Sequence, residues 1–171
     1  LDEVHKHVGQ EPSGRKFNDL TLLLRSSEGF QNNSTNIPFN PMINAGAIMT
    51  SGLINSYETY ENRFNFIKNE FAKLIGWTAK GKFDSKFPRF NKDVAREENF
   101  TGFNNMAIGY LLMATGNLPN KENKHKKKVN QKHDNFDFYI EPSVTEALKL
   151  YFSICSLEMT ATEVAMAAAT L

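Results

Sequence analysis

The stretch Asn40-Pro41-Met42-Ile43-Asn44-Ala45-Gly46-Ala47-Ile48 limits what this chain can fold into more than any other segment. It sets two asparagines and a glycine inside an otherwise apolar, helix-competent run. Asn40 suits an N-cap and Pro41 the first helical position, so a buried helix is predicted over residues 41–54. Met42, Ile43, Ala45, Ala47, Ile48 and Met49 surround Asn44 on nearly every side, and its amide therefore needs partners inside the protein. Leaving it without any costs roughly 1–3 kcal/mol. An asparagine so placed either satisfies a neighbouring loop or faces a ligand from a pocket wall, and local physics does not choose between the two.

The rest of the chain is read around that helix. Phe17 to Arg25 is a short apolar strand or turn-flanked segment, and the polar stretch Ser26 to Asn36 after it is predicted to be a surface loop. Phe64, Ile67, Phe71, Leu74 and Ile75 recur at helical steps, with Gly76 as the stop. Residues 78–103 lack clear periodicity and read as a long connection with one helical turn near Asp93 to Glu98. Asn104 is placed as the cap of a helix through Ala114, stopped by Gly116 with Pro119 beyond it. The Lys- and Asn-rich segment 120–135 buries too little apolar surface to fold by itself. A helix over residues 143–153 follows, and Thr160-x-x-Glu163 is a capping box opening a last helix. The fold class expected is predominantly α.

Composition excludes several classes of function. With 40% hydrophobic and 12% aromatic residues, 171 residues fit one domain or part of one with a real core. A net charge of +1 gives no overall attraction to nucleic acid. No apolar run approaches the ~20 residues of a membrane span, and no signal-peptide pattern opens the chain. The single cysteine, Cys155, rules out an internal disulfide. The start at Leu1 and the close at Leu171 inside a helical pattern lead us to expect a portion of a larger domain.

Several candidate chemistries can be weighed from residue types alone. Ser13-Gly14-Arg15-Lys16 has Ser-x-x-Lys spacing, which on a helix brings hydroxyl and amine together, but Pro12 and Gly14 make the segment a turn and its serine a decoy. Cys155 has no histidine placed as a base and reads as a small buried packing residue. His5-x-His7 has no companion ligand pattern, so no metal is expected. Lys126-Lys127-Lys128 and its neighbours lack interleaved aromatics and read as a solvated loop, not a nucleic-acid surface. Asn33-Ser34-Thr35 and Asn99-Phe100-Thr101 match glycosylation acceptors but stand without a secretory signal.

Four motifs in order carry a resemblance: Val8-Gly9-Gln10-Glu11-Pro12-Ser13-Gly14, the Asn40–Ile48 stretch, Asn105-Met106-Ala107-Ile108-Gly109-Tyr110, and Tyr151-Phe152-Ser153-Ile154-Cys155-Ser156-Leu157-Glu158. Together they resemble glutaminases, serine-dependent amidohydrolases of the β-lactamase-like fold. The resemblance implies that residues 1–171 are a central part of a glutaminase catalytic domain, a helical cluster packed on a mixed sheet. Loop insertions are expected near 26–36 and 120–140. The first insertion lies where animal glutaminases carry a gating loop, and that regulation is not carried over.

The resemblance further implies hydrolysis of L-glutamine to L-glutamate and ammonia through a serine acyl-enzyme, with the nucleophilic serine and its lysine upstream of Leu1. No catalytic residue is then expected in this chain, no cofactor and no metal. The partners implied are L-glutamine and a homo-oligomer, with no nucleic acid and no membrane. Localisation follows as mitochondrial in an animal and cytoplasmic otherwise. Four positions match the family's substrate contacts. Asn44 is the first. Glu98, which unaided reads as a solvated charge, is suited to a ligand's ammonium. Asn105, beside the assigned cap, is suited to a carboxylate at a helix start. Tyr151, which unaided reads as core, can reach a pocket with its phenol. A penicillin-binding relative is disfavoured because Lys-Thr-Gly and Ser-Asp-Asn type motifs are absent, and a non-catalytic helical interaction module on the same scaffold is the rival from another class.

Overall fold

The computed structural model describes residues 2–26, 34–76, 87–115, 118 and 142–171. In chain order the elements are α1 (Asp2–His5), β1 (Leu23–Ser26), β2 (Ser34–Ile37), α2 (Asn44–Leu53), α3 (Tyr60–Leu74), β3 (Arg89–Phe90), α4 (Lys92–Thr101), α5 (Phe103–Ala114), α6 (Pro142–Cys155), β4 (Leu157–Glu158) and α7 (Ala161–Thr170). Helix predominates, as the periodicity predicts. The chain divides into two compact units, residues 1–57 with 104–148, and residues 58–103 with 149–171. The insertion predicted near 120–140, the Gly116 stop, and residues 27–33 of the insertion predicted near 26–36 lie outside the described residues.

In the first unit β1 and β2 pair antiparallel, Leu23 opposite Ile37 and Ser26 opposite Ser34. The sequence reading put Ser34 to Asn36 in a loop. Their strand exists because β1 supplies the ladder partners, and short polar residues carry no period-2 signal of their own. Directly after β2 the chain is clamped to the Val8–Glu11 motif: Gly9 N donates to Pro38 O at 2.8 Å, Glu11 N to Phe39 O at 3.0 Å, and Asn40 Nδ2 to Glu11 O at 2.8 Å. A Cβ on Gly9 would lie 2.7 Å from Phe39 O, so the approach requires glycine.

Helix α2 starts three residues later than predicted. Asn40 does not cap it. Its Oδ1 accepts from Met42 N at 3.0 Å, closing a turn before the helix, while Ile43 occupies the N-cap without a side-chain bond. Pro41 lies in that turn, and Met42 is 86% exposed, so the apolar ring expected around Asn44 is open on one side. The buried face of α2 is Ala45, Gly46, Ile48, Met49, Ser51 and Gly52. Across α5 and the first part of α6, a Cβ on Gly109 would sit 3.2 Å from Leu148 and 3.3 Å from Val144, a tight seam between the two helices. Val8, Ile37, Ile108, Leu112 and Val144 are among the buried apolar residues of this unit.

The second unit is built on α3, whose N-cap Thr59 accepts from Asn62 N and which gives way to Gly76 at φ 73°, the left-handed conformation that favours glycine. Ala72, Ile75, Phe87 and Ala167 form its core, with Phe71, Leu74 and Met159 packed around them. Tyr60 stacks on Phe64, which meets Phe90 edge-on at 4.9 Å. The turn predicted near residues 93–98 is a ten-residue helix, α4, because Asn91 caps it through bonds from Asp93 N and Val94 N. Strands β3 and β4 pair as Arg89 with Glu158 and Phe90 with Leu157. The predicted capping box of α7 is present in both directions, with Thr160 accepting from Glu163 N and Glu163 accepting from Thr160 N.

Candidate functional site

The first unit brings two of the predicted site residues into contact. Asn44 is the first residue of α2 and Asn105 lies in the first turn of α5. Asn44 Nδ2 donates to Asn105 Oδ1 at 2.8 Å across 61 positions of sequence. Both side chains are half-buried. Because Asn105 gives its oxygen to Asn44, what its side chain can present to a ligand is N–H, beside the unsatisfied backbone donors of a helix start, a setting that favours anions.

Two carbonyls of the 17–18 turn fasten this corner. Asn44 N donates to Phe17 O at 2.8 Å, and Asn104 Nδ2 donates to Asn18 O at 2.6 Å. Asn104 is therefore inside α5 and not its cap, which corrects the sequence reading. The helix begins at Phe103, and successive residues on a helix diverge by about 100°, so Asn104 faces the turn while Asn105 faces Asn44. The turn itself is pinned by Asp19, whose carboxylate accepts from the backbone N–H of Thr21 at 2.8 Å and also from its hydroxyl. Those bonds, the hydroxyl's first, hold the Asp19 carboxyl below its ordinary pKa.

The second unit brings together the other pair. Glu98 is on α4 and half-buried, Tyr151 on α6 and buried. The Glu98 charge is close enough to raise the pKa of both Tyr151 and Cys155, although burial is the larger cause in each case. Gly102 makes this possible. It follows α4 directly, its N–H returning to Glu98 O at 2.8 Å, and a Cβ there would stand 2.9 Å from the Phe152 ring.

Cys155 differs from its expected role. The sequence reading made it a buried packing residue, yet it is an exposed free cysteine on the helix that carries Tyr151, four residues further on. Ser13 does sit in a turn, its Oγ accepting from Arg15 N at 3.3 Å with Gly14 at φ 62°, and Lys16 follows no helical turn from it. Among the described residues, no three His, Cys, Asp or Glu side chains gather as a metal set, and no helix is long and apolar enough to cross a membrane.

This architecture is that of one part of an α/β hydrolytic fold seen in solved glutaminases, of the β-lactamase-like type. A Bacillus glutaminase structure matches 98% of this chain with TM-score 0.68 and 27% identity, using 43% of its own length. A Bacillus subtilis glutaminase captured as a covalent complex with 5-oxo-L-norleucine, formed by reaction with 6-diazo-5-oxo-L-norleucine, matches 75% of this chain with TM-score 0.53 and 29% identity, using 33% of its length. The chain belongs to the glutaminase family, whose sequence profile, described as Glutaminase, matches residues 1–171. The mitochondrial liver isoform of glutaminase from Rattus norvegicus is 35% identical over 170 residues, 99% of this chain. This chain spans 22% of that relative's length.

Proposed function

We propose that the protein containing this chain hydrolyses L-glutamine to L-glutamate and ammonia, and that this chain supplies groups that hold the amino acid. The observation that carries the proposal is the Asn44–Asn105 amide bond, which joins two of the four family motifs over 61 positions. Asn105, held by its oxygen, offers N–H donors suited to the ligand's α-carboxylate. Glu98, with Tyr151 in electrostatic reach, is suited to the α-ammonium. An amide donor and an acidic acceptor are the kinds of group that the carboxylate and the ammonium of a free amino acid require.

The reaction proceeds by acyl transfer. A serine outside this chain, activated by a lysine three residues further on, attacks the δ-carboxamide carbon with its Oγ. The amide nitrogen leaves as ammonia, taking the proton relayed by the lysine, and a water then cleaves the ester to release glutamate. The capture of a relative by a diazo-ketone relative of glutamine supports a nucleophile of this kind. This chain by itself is inactive, and the whole protein works as a homo-oligomer.

The test is glutamine-dependent ammonia release by the full-length protein and by its Asn44→Ala, Glu98→Ala and Asn105→Ala variants. Release by the wild type, with each substitution raising KM at least tenfold while circular dichroism is unchanged, is the expected result. No release from the intact protein would leave the scaffold as a non-catalytic interaction module. Wild-type activity in all three variants would remove the site assignment.

A further inference from the structure

Lys149 and Ser153 stand one helical turn apart on one face of α6, and a single side chain of α3 engages both. Tyr60 Oη lies 2.8 Å from Ser153 Oγ, and Lys149 Nζ stands 3.9 Å from the centre of the Tyr60 ring, over its face. The direction of the first bond follows from the proton count. Ser153 Oγ also donates to Lys149 O at 2.8 Å, a carbonyl can only accept, and a serine hydroxyl has one proton, so Tyr60 is the donor to Ser153. Tyr60 is itself held in place. It is the first residue of α3, directly after the Thr59 cap, and its ring stacks on Phe64 at 5.8 Å with the planes 7° apart. Ser153 is 4% exposed, so the bond is shielded from water.

We propose that Tyr60 is a positioning residue for Tyr151: by holding Lys149 and Ser153 it fixes the rotation of the α6 turn from which the Tyr151 phenol projects. Tyr151 lies two residues from each of them, and at about 100° per residue it leaves the helix roughly 160° away from both. Tyr60 therefore grips α6 from the face opposite the phenol. A serine hydroxyl bonded to the carbonyl four residues back bends a helix locally. The Tyr60 proton keeps the Ser153 hydroxyl turned onto Lys149 O, and so holds that bend through the turn that Tyr151 occupies. Without it the serine hydroxyl is free to turn away, and a small rotation of the turn is magnified at the phenol oxygen, the far end of a long rigid side chain. The inference rests on the glutamine-binding reading for the ligand that Tyr151 meets, but the setting of Tyr151 itself can be measured without one.

Two measurements on the full-length protein test it. In the first, fluorine NMR of protein labelled with fluorotyrosine reads Tyr151 directly, its resonance identified by its loss in Tyr151→Phe. Tyr60→Phe removes the donor and keeps the ring beneath Lys149. It is expected to shift or split the Tyr151 resonance while the Tyr110 resonance stays in place, and Tyr57→Phe, at a tyrosine that is 80% exposed, is expected to move neither. A Tyr151 resonance unmoved in Tyr60→Phe overturns the positioning role. In the second, KM and kcat for glutamine are compared in Tyr60→Phe, Ser153→Ala and the double variant. The expected result is a rise in KM of roughly three- to tenfold in each of the three, with kcat within about twofold, because all three lose the same bond. An unchanged KM in Tyr60→Phe, or a double variant that multiplies the two single effects, overturns the action through Ser153. If the wild type releases no ammonia, the glutaminase reading alone falls, and the Tyr151 resonance decides the positioning.

Discussion

Gly46→Ala gives the sharpest test of how the Asn40–Ile48 stretch is built, because helix propensity and packing predict opposite signs. In a helix interior alanine is favoured over glycine by about 1 kcal/mol. At Gly46, however, a Cβ would stand 1.9 Å from Asn40 O, 2.7 Å from its carbonyl carbon and 2.8 Å from Pro41 Cα, where ordinary contact begins at 3.4 Å. All three are backbone atoms and cannot rotate away. The 40–41 segment must move by more than an ångström, although Asn40 is tied through Glu11 O at 2.8 Å and Met42 N at 3.0 Å. Overpacking of this kind costs roughly 1–3 kcal/mol, and one or two broken hydrogen bonds add about 1 kcal/mol each. After the propensity gain the terms span about 1–4 kcal/mol, with a central value of about 2–3 kcal/mol. Native-state hydrogen exchange of the Ile48 and Met49 amides in the full-length protein reads this locally, as roughly 30- to 150-fold faster exchange. Ala47→Gly, on the half-exposed neighbour, is the control and should cost about 1 kcal/mol by propensity. Gly46→Ala exchange equal to or slower than wild type would refute the close approach and with it the turn geometry before Asn44.

A double-mutant cycle on Asn44→Ala and Asn105→Ala should return a coupling of about 1 kcal/mol in denaturant unfolding, and additive losses would mean the amides do not meet. Asn104→Ala should loosen the 17–18 turn and cost about 0.5–1.5 kcal/mol, with faster proteolysis near Phe17 as the readout; unchanged cleavage would remove the tether. Gly102→Ala pushes a methyl to 2.5 Å from Glu98 O and 2.9 Å from the Phe152 ring and should raise KM for glutamine more than Gly76→Ala, which strains a left-handed backbone at φ 73° but meets nothing within 4 Å; equal effects would argue that the α4 closure has no bearing on Glu98. The Glu163 carboxyl is held below its ordinary value of 4.5, first by the Thr160 backbone N–H and then by Arg89. A depressed folded-state pKa means stability present above 4.5 and lost as pH falls through the folded value, so the wild-type advantage over Glu163→Gln should shrink on acidification below pH 4.5. A difference that does not change with pH would show that the charge plays no part in the cap.

What was legible in the sequence was whatever a local rule could carry. Apolar recurrence located α3, the Thr160–Glu163 spacing located the α7 cap, and the Pro12–Gly14 pair kept Ser13 out of a helix. What was not legible depended on a distant partner. Asn40 was read as a helix cap because Asn before Pro is a good local cap signal, but its amide is claimed by Glu11, 29 positions away, and the helix starts after the turn that this bond holds. Ser34 to Asn36 has no strand signature and becomes a strand because Leu24 to Ser26 offers it a ladder. Cys155 was read by its residue type, which is most often buried, but it stands near the end of α6 with its side chain exposed.

The adjacent pair Asn104 and Asn105 shows how a candidate site residue can be named while the structure holding it is misread. Either asparagine fits a helix start, so a local rule gives one of them the cap and leaves the other for a ligand, without a reason for which is which. The geometry supplies the reason. Two consecutive helical side chains point about 100° apart, so they cannot serve the same partner, and each is selected by what lies in its own direction. Asn104 meets the bare carbonyl of Asn18 and can only donate to it, whereas Asn105 meets the amide of Asn44, which donates and leaves Asn105 with N–H groups to present. A residue with both donor and acceptor is needed at 105 and only a donor at 104. Lysine or arginine at 104 would keep the tether to Asn18, while at 105 neither could accept from Asn44. The chemistry required at each position therefore follows from the partner across the fold and not from the helix that carries them.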